Sequence, residues 1–258
     1  MKLRALLVSV AVLLLNACVT EVKGRQIPEA DPEGAADSNL QLGVGYYRQG
    51  NLPAAQEKLE RAIELDPKNV EAHSILGLVY ERLDDPEEAG QMYKRAVQLG
   101  PEDPDALNYY AQFLCRRGGK RNEAMKLFDR AAEVPLSRKF VNKAVIYTNA
   151  GVCMKPVDLE TAEAYLRKAL QVDSRYREAL LQMADVAHTG NNDLQARAFV
   201  ERYLAVGRAN PTVLWLGVQI ESSLGDTRTA AKYAEQLKKD FPAAVQTKQL
   251  LEQERNAG

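Results

Sequence analysis

Small and large apolar residues return along this chain at a fixed interval of 34 residues. Leu42-Gly43 comes back as Leu76-Gly77, Tyr46 as Tyr80, Ala55 as Ala89, Leu59 as Tyr93, Ala62 as Ala96 and Pro67 as Pro101. Glycine and alanine allow two helices to cross closely, and proline ends the second helix of each pair. One such pair cannot bury its apolar face alone, so the copies must stack into a single cooperative array.

The pattern resembles the tetratricopeptide repeat. That resemblance implies an all-α fold: a right-handed superhelical solenoid of about six helix-turn-helix repeats with a C-terminal capping helix. The repeats are expected at residues 36–69, 70–103, 104–142, 143–176, 177–210 and 211–244. The third is long. Its small residue arrives one place late, at Ala124, after the turn Gly118-Gly119-Lys120, and extra residues fall near Pro135 to Phe140. The fourth carries Ala150, Ala162, Leu166 and Ala169; the fifth is degenerate, with Tyr203 where alanine is usual; the sixth carries Ala230 and Ala234. Residues 245–258 read as a polar cap and tail that shield the last open apolar face.

The N-terminus reads as a secretion signal. Lys2 and Arg4 precede an apolar stretch from Ala5 to Leu15 broken only by Ser9. A bilayer-spanning helix needs about 20 residues, so this stretch fits a signal peptide over residues 1–17. Leu15-Asn16-Ala17-Cys18 resembles a bacterial lipobox, which implies lipidation of Cys18 and an outer-membrane anchor facing the periplasm of a Gram-negative bacterium. An ordinary signal peptide with an incidental cysteine is the alternative. Residues 18–35, with Gly24, Pro28, Asp31-Pro32 and Gly34, read as a flexible tether.

Charge and cysteine content narrow the partners. Lys and Arg total 34 against 35 Asp and Glu, interspersed, which gives no reason to expect nucleic-acid binding. Cys115 and Cys153 fall on first helices of neighbouring repeats, so a disulfide would staple the array where the third repeat loosens it. Two thiols filling small core gaps is the other reading. No catalytic or metal-binding set emerges, and no cofactor or small-molecule substrate is expected. The two histidines, His73 and His188, lack a metal-ligand spacing. Asp185 and His188, one turn apart, read as groove lining or a solvated ion pair.

Function should lie on the concave surface formed by positions 2, 5, 9, 12 and 13 of each first helix. Position 13 carries Arg48, Arg82, Arg116 and Lys155. This is either a cation ladder for a carboxylate-bearing segment or favourable placement at helix C-termini. Leu40, Val44 and Tyr47, with Leu78, suggest an apolar pocket at the N-terminal end for a partner's amphipathic segment.

The stretches 107–115, 131–136 and 149–153, in this overall layout, resemble the PilF/PilW family of type IV pilus assembly lipoproteins. The resemblance implies that Cys115 and Cys153 pair. It also implies a non-enzymatic pilotin that binds the type IV pilus secretin subunit and, through its lipid, carries it to the outer membrane for multimer assembly. A lipoprotein scaffold of outer-membrane protein insertion, or a partner of cell-wall synthesis, would use the same architecture.

Overall fold

In a computed structural model of the chain, residues 32–135 and 142–257 are described; the signal-peptide and Cys18 readings lie outside them. The described residues form thirteen α-helices and no strand. The first helices of the repeats are α1 (Pro32–Gln49), α3 (Val70–Arg82), α5 (Pro104–Arg117), α7 (Lys143–Met154), α9 (Arg177–Thr189) and α11 (Pro211–Ser223). The second helices are α2 (Leu52–Leu65), α4 (Pro86–Leu99), α6 (Arg121–Glu133), α8 (Leu159–Val172), α10 (Asp193–Val206) and α12 (Thr227–Asp240). A last helix, α13 (Val245–Ala257), packs on α11 and α12. No described helix is long and apolar enough to cross a membrane.

Local chemistry sets the ends of these helices. Asn51, Asn69, Asp85, Asp103, Asn142, Asp158, Asn192, Asn210 and Asp226 each accept a hydrogen bond from a first-turn backbone N–H. Such caps satisfy donors that the helix itself cannot pair. In five of the six repeats the internal turn uses positive φ, at Gly50, Asp84, Gly118 with Gly119, Asn191 and Gly225; the turn of the fourth repeat uses none. Glycine, asparagine and aspartate are the residue types that tolerate this left-handed geometry at least cost.

Each first helix packs against its own second helix, against the second helix of the preceding repeat and against the next first helix. Among the described residues no Cα atoms of two second helices come within 8 Å; long side chains bridge them, Tyr165 donating to Asp129 and Gln195 to Glu163. The first helices are therefore the closely spaced inner layer, and the second helices splay outward. That difference in spacing bends the stack and gives it a concave face lined by α1, α3, α5, α7, α9 and α11.

Where first and second helices cross, a Cβ on Gly43, Gly77, Gly151 or Gly217 would come within 3.0 Å of Leu59, Tyr93, Leu166 or Tyr233 respectively. In the fourth repeat the closest approach is thus at Gly151, one place after the Ala150 that the period selects. The core is continuous. Tyr93, Phe128, Leu166 and Leu214 are fully buried, and Leu78, Tyr80 and Tyr109 pack against both the first and the second core cluster. In the fifth repeat Tyr203 is buried beneath the Arg177 guanidinium, 4.2 Å from the ring centre, so the larger side chain is accommodated by a cation–π contact. On α13, Leu250 enters the last cluster while Val245 and Leu251 stay exposed among polar residues.

Candidate protein-binding groove

The concave face begins with the residues that periodicity placed there. Leu40 does not line an open pocket: it is 4% exposed and belongs to the buried cluster of Ala55, Leu59, Ile75 and Leu76. The equivalent position is buried in the second, third and fifth repeats as well, at Ser74, Asn108 and Leu181, so in this chain it belongs to the interior of the stack and not to the groove. Val44, Tyr47 and Leu78 are half-buried and pack on the same cluster. The apolar patch at this end is correspondingly smaller than the sequence suggests.

The four cations do not form a free ladder. Arg82 donates to the Tyr47 carbonyl at 3.2 Å and lies 5.1 Å from that residue's ring centre. Arg116 makes a forked contact with Glu81, from Nε at 3.1 Å and Nη2 at 2.7 Å. Glu81 also accepts from the buried Tyr93 hydroxyl at 2.7 Å, and burial followed by the Glu81 charge pushes that phenol's pKa up. Lys155 pairs with Asp185 and donates to Gln182 at 3.3 Å. Only Arg48 is exposed and without a partner among the described residues.

Position 13 therefore meets position 12 of the preceding repeat, Tyr47 or Glu81, in the two cases where that residue can receive a cation. In the fourth repeat the corresponding residue is Cys115, and it is occupied: Cys115 and Cys153 are disulfide-bonded, with Cα atoms 5.7 Å apart. The same junction is held by Asn149 donating to the buried Asn108 at 2.9 Å and by Arg121 donating to the Cys153 carbonyl at 3.0 Å. The groove thus runs across a covalently fixed joint between its third and fourth repeats.

Toward the C-terminal end, Asp185 and His188 part company. His188 Nδ1 contacts Asp193 at 2.5 Å, and Ser223 donates to the other Asp193 oxygen. Burial pushes the Asp193 carboxyl up, but the hydrogen bonds from His188 and Ser223 outweigh it and hold it below the usual value. The carboxylate therefore sits between hydroxyl and imidazole. A nucleophilic triad needs the imidazole in the middle to take the serine proton, so this cluster is a clasp between α9, α10 and α11 rather than a reactive centre. No group of three potential metal ligands occurs among the described residues.

Periodicity alone did not single out the opposite edge of the groove. Position 2 of the first three repeats is Asp37, Glu71 and Asp105, again 34 apart, and this acidic series was readable by the same alignment. Glu71 and Asp105 belong to a cleft of about 320 Å³ between the N-terminal halves of α3 and α5, lined also by Val70, Ser74, Ile75, Asp103 and Tyr109.

Known proteins agree with this architecture. A tetratricopeptide-repeat model matches residues 40–104. The type IV pilus assembly protein PilF of Pseudomonas aeruginosa is 29% identical over 250 residues, covering 95% of this chain and 97% of that protein. The solved structure of Pseudomonas aeruginosa PilF superposes with a TM-score of 0.70 at 26% identity, covering 86% of this chain and 99% of that one. That of PilW, described as a widely conserved type IV pilus biogenesis factor, gives a TM-score of 0.74 at 25% identity, over 84% and 98% of the two chains. By its repeat period, its stacked helical pairs and these end-to-end matches, the chain is a tetratricopeptide-repeat protein of the PilF/PilW type.

Proposed function

We propose that this protein is a pilotin: a lipid-anchored periplasmic adaptor that binds the type IV pilus secretin subunit and promotes its outer-membrane localisation and multimer assembly, without enzymatic activity of its own. Pilus biogenesis and twitching motility would depend on it. The observation that carries this reading is the match to PilF over nearly the full length of both chains. An open concave face of paired and half-buried side chains, with its serine, aspartate and histidine in an order unsuited to proton relay, supports capture of a protein segment over chemistry. The lipobox-like Leu15-Asn16-Ala17-Cys18 supplies the anchor. Several acyl chains hold a protein stably where one is marginal, at about 0.8 kcal/mol per buried methylene. Fixing the adaptor at the membrane raises the effective concentration of whatever it carries there.

The test is a pull-down from detergent-solubilised membranes with identification of the bound proteins, alongside fractionation of Cys18→Ser. Co-purification of the secretin, and loss of Cys18→Ser from outer-membrane fractions with its helical content intact, are expected. Capture of a β-barrel insertase or a cell-wall synthase in place of the secretin, or retention of Cys18→Ser in outer-membrane fractions, would overturn the reading.

A further inference from the structure

We infer that the joint between the third and fourth repeats holds a pocket for a phenylalanine side chain of the bound protein segment, with an acidic residue two places away in that segment meeting Arg121. This rests on the groove being a peptide-binding surface and on nothing about which protein supplies the peptide.

The joint departs from the regular stack. The long third repeat shifts the register, and Cys115 is tied to Cys153 where earlier repeats set a cation on the residue before. A cavity of about 230 Å³ opens here between the C-terminal halves of α5 and α7 and reaches α6 behind them. Its floor is apolar, made by the disulfide, Phe128, Val152 and Pro156. Val152 lies on α7, in the inner layer, and is 40% exposed. A single exposed valine is ordinary. This one joins three other apolar groups around one open space on the concave face.

The charges around the cavity are of one sign. Its charged lining residues are Arg116 and Arg121, and no carboxylate lines it. Arg116 already shares Glu81. Arg121 is half-buried, donates from Nε to the Cys153 carbonyl at 3.0 Å, and forms no ion pair among the described residues. That contact uses one of five guanidinium donors. Gln112 and Asn149 also line the cavity and are held by Asn108, at 3.4 and 2.9 Å, so their amides stand fixed beside the path of a bound backbone.

These features select the occupant. A polar side chain would leave the floor uncovered, and a basic one would be repelled by two guanidinium groups. A cavity of about 150 Å³ admits a benzene ring, so this one has room for a phenylalanine side chain. An aromatic ring gains over an aliphatic chain because it meets both sulfur and the Phe128 ring. In an extended segment, residues two apart point the same way, which brings a carboxylate at that spacing to the arginine side of the pocket.

The probe is the acetylated and amidated peptide Gly-Glu-Gly-Phe-Gly-Glu-Gly, titrated into the detergent-solubilised full chain labelled at valine methyls. It should shift the Val152 methyl signals saturably. Alanine in place of the phenylalanine should weaken binding at least tenfold. Glutamine in place of both glutamates should weaken it several-fold, a preference that salt reduces. Arg121→Gln should erase that preference and Arg116→Gln should keep it; the two peptides test the charge in the parent protein whether or not Arg121→Gln folds. Val152→Gln, at an exposed helical position, should retain its helical content and weaken several-fold the binding of a 4-fluorophenylalanine peptide followed by fluorine NMR. Shifts confined to other valines, equal binding of the alanine or glutamine peptide, or undiminished binding by Val152→Gln would overturn the assignment. So would tighter binding of Gly-Gly-Phe with a free C-terminus, which would give Arg121 to a chain end. The two readings fail separately. A responsive pocket in a protein that captures no secretin refutes the proposed partner, and a silent pocket in a protein that captures secretin refutes the pocket.

Discussion

Replacing Gly77 with alanine tests whether the helix crossings are set by contact at single carbons. An added Cβ would stand 2.7 Å from Tyr93 Cε1 and 2.9 Å from Cδ1 and Cζ. The ring has nowhere to retreat. It is fully buried, its hydroxyl is held by Glu81 at 2.7 Å, and it packs on Phe113 with ring centres 5.4 Å apart. Overpacking of this kind costs about 1–3 kcal/mol, here toward the upper end. Alanine returns about 1 kcal/mol through helix propensity. The net is a loss of about 1–2 kcal/mol, which for an array of this size lowers Tm by roughly 2–8 °C. Gly45 is the internal control, because a Cβ there meets nothing within 4 Å. Gly45→Ala should raise Tm by roughly 1–4 °C, since only the propensity gain remains. Thermal unfolding followed by helical circular dichroism reads both. A Gly77→Ala protein as stable as the parent, or Gly45→Ala as damaging as Gly77→Ala, would refute the reasoning.

Three further outcomes are expected. Replacing Cys115 and Cys153 by serine frees a loop of 38 residues in the unfolded chain and should cost about 3–4 kcal/mol, seen as a Tm drop of about 10 °C, with helical content at low temperature retained. Tyr203→Ala restores the residue usual at that place of the repeat but empties a buried site stacked on Arg177. It should destabilise the protein by about 3 kcal/mol in urea unfolding, against the direction that consensus would suggest. His73 is 6% exposed, with Nε2 donating to the Pro67 carbonyl at 3.2 Å and Nδ1 buried without a partner. Its pKa is lowered from 6.5, chiefly by burial and further by Arg95, against raising contributions from Pro67 and Asp66. The unfolded chain binds this proton more readily, so stability should be full above pH 6.5 and fall as pH drops through that value and down to the depressed folded value. His73→Gln should flatten that part of a stability–pH profile measured by urea unfolding.

The repeat boundaries were legible because each depends on residues close in sequence: a capping Asn or Asp, a positive-φ turn residue, an apolar stripe and a small residue at the crossing. These recur every 34 residues, and the first helices of the second to sixth repeats begin where the period puts them; α1 instead begins at Pro32, ahead of Ala36 and inside the stretch read as a tether. The fate of Leu40 was less legible. A position-by-position template assigns this place to the groove, yet Ser74, Asn108 and Leu181 occupy it in other repeats and are buried too, so here the position is interior. The cations were misread for a different reason. Arg82 with Tyr47 and Arg116 with Glu81 are pairs 35 residues apart, one more than the period. Position 13 of one repeat thus lies beside position 12 of the one before, a relation visible only when the period is treated as spatial adjacency. Lys155 breaks the rule because the extra residues of the third repeat shift the register and the disulfide occupies the place its partner would take.

That pairing changes what the groove can attract. Read as a string, position 13 promises a positive ladder and an acidic partner. In the folded chain Glu81 and Asp185 neutralise Arg116 and Lys155, whereas Arg82, held by the Tyr47 carbonyl and ring, keeps its charge, so the ladder of four is reduced to Arg48 and Arg82. Charge complementarity at such a surface governs encounter and register more than raw affinity. An acidic segment should therefore be drawn to the end of the groove where Arg48 and Arg82 stand beside the half-buried Val44, Tyr47 and Leu78, so Arg48→Gln or Arg82→Gln should weaken its capture more than Arg116→Gln does.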